Sequence, residues 1–398
     1  MVRAFSFQEA RAEVLRRVRG ERHTPSVEEI GLEDALGRVL GRDVLADRDY
    51  PPVARSVRDG FAVRAEDLPG EFEVIGEVRA GESSPLRTGP RQAVEIMTGA
   101  PIPAGADAVV MVEHTTREGS RMRTERTAKR GEYINQAGSE ARAGCAVVMG
   151  GRSITQTRIA MLATVGCLRV PVYRKPAVAI LSTGDEVVDA GETPLDFQVR
   201  NSNAWTLAAQ VKRAGGEPHT LPVARDEYAH TRELIERGLS ADLLLLSGGV
   251  SAGKYDIVER VLADLGAEFF FTRVLIQPGQ PLVFGKARNR FFFGLPGNPG
   301  STIVTFEVLA RAAVELLGGI AEPRLPLLSA RLTREFRHKP GLTRFLPAAV
   351  SADGGTVTPE AWGGSSDVPA MARANAFLVV DAERDFWPAG EWMPVLPQ

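Results

Sequence analysis

The stretch "LLLLSGGVSAGKYD", Leu243 to Asp256, decides how the centre of this 398-residue chain is read. Four leucines predict a buried strand, and the glycine-rich polar run behind them predicts a tight loop into a helix. Gly248, Gly253 and Lys254 imitate a phosphate-binding P-loop, but Tyr255 stands where that loop needs a Ser or Thr hydroxyl for Mg²⁺. Asp256 follows directly. Its carboxylate could replace the missing hydroxyl, or simply cap the next helix.

The same design, an apolar strand followed by a glycine-rich polar loop, recurs in "LSTGDE" (Leu181 to Glu186) and "GLPGNPGS" (Gly294 to Ser301). Around these loops the chain alternates. A strand at Ala177 to Leu181 precedes a helix near Asn203 to Ala214, a strand near His219 to Val223 and a second helix. The strand Leu243 to Leu246 and a helix from Asp256 follow, and a last strand leads into a long apolar helix ending at Gly318 and Gly319. Alternating β and α predicts a parallel, doubly wound α/β unit, in which ligands bind outside the carboxyl ends of the strands. All three loops should therefore share one edge.

Glycine amides and helix N-termini on that edge suit a phosphate or another oxyanion. Asp185, Glu186 and Asp256 add carboxylates, which an anionic ligand tolerates when a cation lies between. The residues by themselves thus point to a Mg²⁺-dependent enzyme acting on a phosphate or phosphoanhydride.

Before this unit, short Val-rich runs punctuated by Gly and Pro predict a β-rich domain; "DAVVMVEHTTREGSRMRTE" reads as a hairpin turning at Gly119. In "ARSVRDGFAV" and "VEIMTGAPIPAGADAVV", Asp59 and Thr98 each precede a glycine, and a β-turn explains either alone. The N-terminus predicts an amphipathic helix with Phe7, Ala10, Val14 and Val18 on one face, lacking the apolar core of a signal peptide. After the linker "AEPRLP", alternation around glycine-rich turns predicts a small C-terminal β-barrel or sandwich. The expected domains are 1–25 with 148–172 as a helical linker unit, 26–147 as the β-rich domain, 173–322 as the α/β domain and 323–398 as the C-terminal β domain.

Charge excludes some roles. The net charge of −2 gives no overall attraction to nucleic acid. The basic stretch Arg117 to Arg130 has no aromatic residue to stack bases and reads as a solvated hairpin. No run approaches the roughly 18 apolar residues that span a bilayer. The two cysteines, Cys145 and Cys167, lack metal-site spacing and fit a reducing cytoplasm.

Taken together, "SVRDGFAV", "IMTGAPIPAGADAVV", "STGDE", "SGGVSAGKYD" and "GLPGNP" resemble the molybdopterin molybdenumtransferase family, which includes MoeA and the E domain of gephyrin. The resemblance covers essentially the whole chain. It implies insertion of molybdate into adenylylated molybdopterin with release of AMP, requiring Mg²⁺. It also implies a cytoplasmic homodimer of elongated, four-domain subunits, with each site shared between the α/β domain of one subunit and the β-rich domain of the other. A pterin-adenylylating protein would supply the substrate.

Residue by residue, the resemblance implies catalytic or metal roles for Asp59, Glu186, Asp226 (in "VARDE") and Asp256, with Glu186, Asp226 and Asp256 as the metal set. It implies substrate contacts from Thr98, Ser182, Thr183, Gly184, Gly248, Gly249, Ser251, Lys254, Pro296, Asn298 and Pro299. In "WGGSSDVPAMARANAF", Ser365 and Ser366 are further substrate candidates, while Ser366 or Asp367 also suits a helix N-cap.

There are departures. Relatives carry lysines in this region, whereas "RVLIQPGQP" supplies Arg273, Gln277 and Gln280; Arg273 keeps a bidentate cation and the two glutamines are neutral. Glu140 stands where relatives have an aspartate. Three alternatives stay open: a pterin-binding scaffold or carrier without turnover, a nucleotide pyrophosphate hydrolase on the same α/β domain, and tungstate in place of molybdate.

Overall fold

The computed structural model describes residues 4–83, 85–249 and 257–398. Its central sheet runs in the order Glu217–Thr220, Ala177–Ser182, Leu243–Ser247, Arg290–Leu295, Val283–Ala287, Glu268–Phe271. The first four strands are parallel.

The period-two alternation of each apolar strand sends side chains to two cores. Val178, Ile180, Leu243, Leu245, Phe291 and Phe293 enter one with the helices Phe7–Glu21 and Ser202–Arg213. Ala179, Leu181, Leu244, Leu246 and Phe292 enter the other with Tyr228–Gly238 and Ile257–Asp264. Covering both faces is why these strands read as unbroken hydrophobic runs. Each fully buried Leu or Phe contributes roughly 1.5–3 kcal/mol.

Two details differ from the sequence reading. The last two strands of the sheet are antiparallel, because Arg288 and Asn289 take positive φ (46° and 66°) and close a two-residue hairpin between Ala287 and Arg290. No Asn-Gly or Asp-Gly pair signals that turn. The strand expected at His219 to Val223 ends at Thr220, and Pro222 has no N–H with which to extend a ladder.

The first helix is closed by a capping box, Ser6 with Glu9, and buries Phe7, Ala10, Val14 and Val18. The closing apolar helix is one helical run, Pro299–Thr305 and Arg311–Leu317 joined by a π-helical turn at Phe306–Ala310.

The β-rich domain holds a six-stranded sheet in the order Ala108–Met111, Gly60–Val63, Gln92–Ile96, Gly70–Val78, Arg121–Thr124, Thr116–Glu118. Its last two strands form the hairpin expected at Gly119, which has φ 60°. The C-terminal strands Thr343–Val350, Thr356–Pro359, Leu328–Leu332, Trp392–Pro397 and Ala376–Val380 close into a barrel, the last pairing back onto the first. The short strand Ile276–Gln277 leaves the α/β unit to pair with Thr343 and Arg344 of the barrel.

Candidate functional site

Register places the three loops. Ser182, Ser247 and Leu295, the last residues of adjacent parallel strands, are paired side by side, so the loops leave the sheet at one level. They line one cleft of about 1470 Å³, whose wall includes Ser182, Thr183, Gly184, Glu186 and Asp226. Gly248, Gly249, Pro296, Asn298, Pro299 and Ser366 complete the predicted residues found there.

Hydrogen bonds stitch the loops to each other. Thr183 N donates to the Ser247 carbonyl (3.0 Å), Gly184 N to Ala224 (3.1 Å) and Gly248 N to Leu295 (3.2 Å). The amides of Gly184 and Gly248 are thereby spent on packing and do not face a ligand, which corrects the expected role for these two glycines. Their lack of a side chain is still required. Gly248 has φ 92°, and a Cβ there would lie 2.8 Å from the Thr183 carbonyl oxygen.

Glu186 folds back over Gly184, where a Cβ would meet its Oε2 at 2.5 Å. Asp226 is set beside this loop, its N–H donating to Asp185 Oδ1 (3.1 Å) while Arg225 reaches the Asp185 carbonyl (3.2 Å). Glu186 and Asp226 are both exposed.

Asn201 and Asn203 were missed by the sequence reading. Asn201 is buried; its Oδ1 accepts from Ala204 N (3.1 Å), capping the helix Ser202–Arg213, and from the Ser182 hydroxyl (3.0 Å). Asn203 Nδ2 donates to Ser247 Oγ and to the Gly297 carbonyl, both at 2.7 Å, clipping two of the three loops together. An Asn between a short strand and an apolar-periodic segment is an N-cap signal that could have marked the first.

Other predicted residues lie elsewhere. Asn298 Nδ2 donates to Ser365 Oγ (2.8 Å) and Gly300 N to the Ser365 carbonyl (2.8 Å), so Ser365 joins the C-terminal domain to the loop at Pro296 while Ser366 lines the cleft. Asp367 is the N-cap of Val368–Arg373. Arg273 and Gln277 do not line the cleft, although Pro281 of their loop does. With the Gln280 amide oxygen turned toward Arg273, it accepts from the guanidinium at 2.8 and 3.3 Å. Ser251, Lys254 and Asp256 lie outside the described residues.

Asp59 and Thr98 form a pair of their own in the β-rich domain. Thr98 donates to Asp59 Oδ1 through its backbone N–H (2.6 Å) and its hydroxyl (2.8 Å). The Thr98 amide, and then the hydroxyl, hold the Asp59 carboxyl below the usual carboxylate range. Thr98 borders a separate cavity of about 500 Å³ with Arg48, Arg55, Asn135 and Glu140, in which Asn135 donates to Glu140 (2.7 Å).

Among the described residues no three His, Cys, Asp or Glu side chains converge as a metal site. Mg²⁺ requires fewer from the protein, one or two carboxylates with substrate phosphates and water completing the shell. Glu186 and Asp226 on one cleft satisfy that requirement. No helix among the described residues is long and apolar enough to cross a membrane.

Residues 5–166 match the family described as the MoeA N-terminal region (domain I and II), 179–316 the probable molybdopterin binding domain, and 329–398 the MoeA C-terminal region (domain IV). A Bacillus subtilis (strain 168) protein named molybdopterin molybdenumtransferase is 36% identical over 401 residues, 96% of this chain and 93% of its own. The crystal structure of the molybdopterin biosynthesis moeA protein from Pyrococcus horikoshii OT3 is similar over 100% of both chains, with TM-score 0.84 and 26% identity. A second such structure, from Pyrococcus horikosii, has TM-score 0.77 and 30% identity over 99% of each chain.

Proposed function

Since the chain belongs to the molybdopterin molybdenumtransferase family, we propose that it inserts molybdate into adenylylated molybdopterin, with release of AMP and formation of the molybdenum cofactor. The observation that carries the reading is the convergence of three strand-end loops and two exposed carboxylates on one cleft. At about 1470 Å³ it exceeds the roughly 300–1,000 Å³ of an ordinary small-molecule pocket, as a two-part substrate requires.

In the proposed reaction a water oxygen adds to one phosphorus of the phosphoanhydride and the bridging P–O bond breaks. AMP leaves, and the pterin keeps its own phosphate. Glu186 and Asp226 would hold Mg²⁺ and orient the water. When bound, Mg²⁺ offsets the negative charge of the pyrophosphate. Asn203 keeps the loops at Ser247 and Gly297 at fixed spacing, so the substrate meets a pre-formed surface.

We take the working form to be a homodimer in which the Asp59–Thr98 pair of one subunit faces the cleft of the other. Within one chain that pair borders its own cavity and does not line the cleft, which supports a site completed by a second copy.

Reconstitution tests the reading. The purified protein, supplied with adenylylated molybdopterin, molybdate and Mg²⁺, is expected to restore activity to an enzyme stripped of its molybdenum cofactor. Restoration that is no faster than with the substrates alone would contradict the proposal.

A further inference from the structure

The described lining of the cleft offers few donors to an anion. The amides of Gly184 and Gly248 are spent on neighbouring loops, the Ser182 hydroxyl on Asn201 and the Thr231 hydroxyl on the Arg225 carbonyl. Among the described lining residues Glu186, Asp226 and Glu259 are acidic, and only Arg200 and Arg260 are basic. Arg200 Nε is occupied by the Glu192 carbonyl (2.9 Å).

Arg260 differs. It is exposed on the helix Ile257–Asp264, and among the described residues it makes no hydrogen bond and no ion pair. Its guanidinium carbon lies 5.1 Å from the centre of the Tyr228 ring. That ring is itself fixed, because the Tyr228 hydroxyl donates to Asp264 Oδ2 (2.6 Å) and accepts from Arg232 (3.3 Å). Tyr228 therefore lies across one turn of the helix as a platform beneath Arg260. A cation–π contact holds the guanidinium over the ring without consuming its N–H donors.

We propose that Arg260, oriented by Tyr228, binds a tetrahedral oxyanion group of the substrate in this cleft; the inference rests on the transferase reading. A planar fork with unspent donors matches two oxygens of such a group, and prior orientation lowers the entropy lost on binding. The group is either a phosphate of the adenylylated pterin or molybdate.

Calorimetric titration of the full-length protein, in Mg²⁺, with inorganic pyrophosphate and separately with molybdate tests this. Arg260→Gln is expected to weaken one of the two anions roughly ten- to a hundredfold, as for loss of a charge-assisted hydrogen bond. Loss confined to pyrophosphate assigns the phosphate group; loss confined to molybdate assigns the metal oxyanion. Arg260→Lys should recover only part of the affinity, and Tyr228→Leu, which keeps the charge but removes the platform, should cost severalfold. Unchanged affinity of Arg260→Gln for both anions would overturn the inference while leaving the transferase reading intact. A wild-type protein that binds neither anion would contradict the transferase reading itself.

Discussion

Asp59 is exposed, yet one of its oxygens accepts two hydrogen bonds from Thr98. Such an arrangement fixes a carboxylate at the surface without burying it. Asp59→Asn is expected to lower turnover by roughly a hundredfold or more if the group serves the reaction. It should shift the melting temperature by no more than about a few degrees, since exposed substitutions rarely destabilise. Full activity of the variant would withdraw the role. A carboxyl whose pKa is lower in the fold stabilises it above the unfolded value, and that contribution is lost as pH falls through the folded value. Wild type and Asp59→Asn should therefore keep a constant difference in melting temperature between about pH 6 and 8, and converge only in acid, below the ordinary carboxylate range.

Among the elements, the loops and caps at the strand ends carry the site. Asn201→Ala removes both the cap of Ser202–Arg213 and the partner of the buried Ser182 hydroxyl, and should cost about 1–2 kcal/mol in denaturant unfolding. Gly248→Ala would set a Cβ against the Thr183 carbonyl at positive φ, and should depress turnover through displaced loops. The strand-end loops were legible because a strand buried on both faces spells an apolar run that glycine must end, as at Leu243–Ser247. The hairpin at Arg288 and Asn289 was not, since neither residue is a glycine and the strands around it are equally apolar. Arg260 and Asn203 escaped notice for another reason. Each lies in or at the start of a helix whose apolar periodicity explains the segment, and only the fold shows which polar residue turns toward the cleft.

Across the whole molecule, domains far apart in sequence contribute to one region. Ser365 is tied to Asn298 and Gly300, and the strand Ile276–Gln277 joins the barrel, so the C-terminal domain buttresses the loop at Pro296. These links were invisible in the sequence because they depend on tertiary docking between segments about 70 residues apart. The dimer is testable at this scale. If each site draws on two subunits, inactive Asp59→Asn and Glu186→Gln proteins, unfolded together and refolded, should recover roughly a quarter of wild-type activity, because half the dimers carry one intact site of two. No recovery would place both residues in a site made by one chain.

The most direct measurement of the central claim is AMP release from adenylylated molybdopterin by the purified protein in Mg²⁺, with and without molybdate, and again after chelation of the metal. The account predicts release that depends on both molybdate and Mg²⁺. Tight binding of the pterin with no release under any condition would make the protein a carrier, and release indifferent to molybdate would make it a pyrophosphate hydrolase; either result contradicts the account.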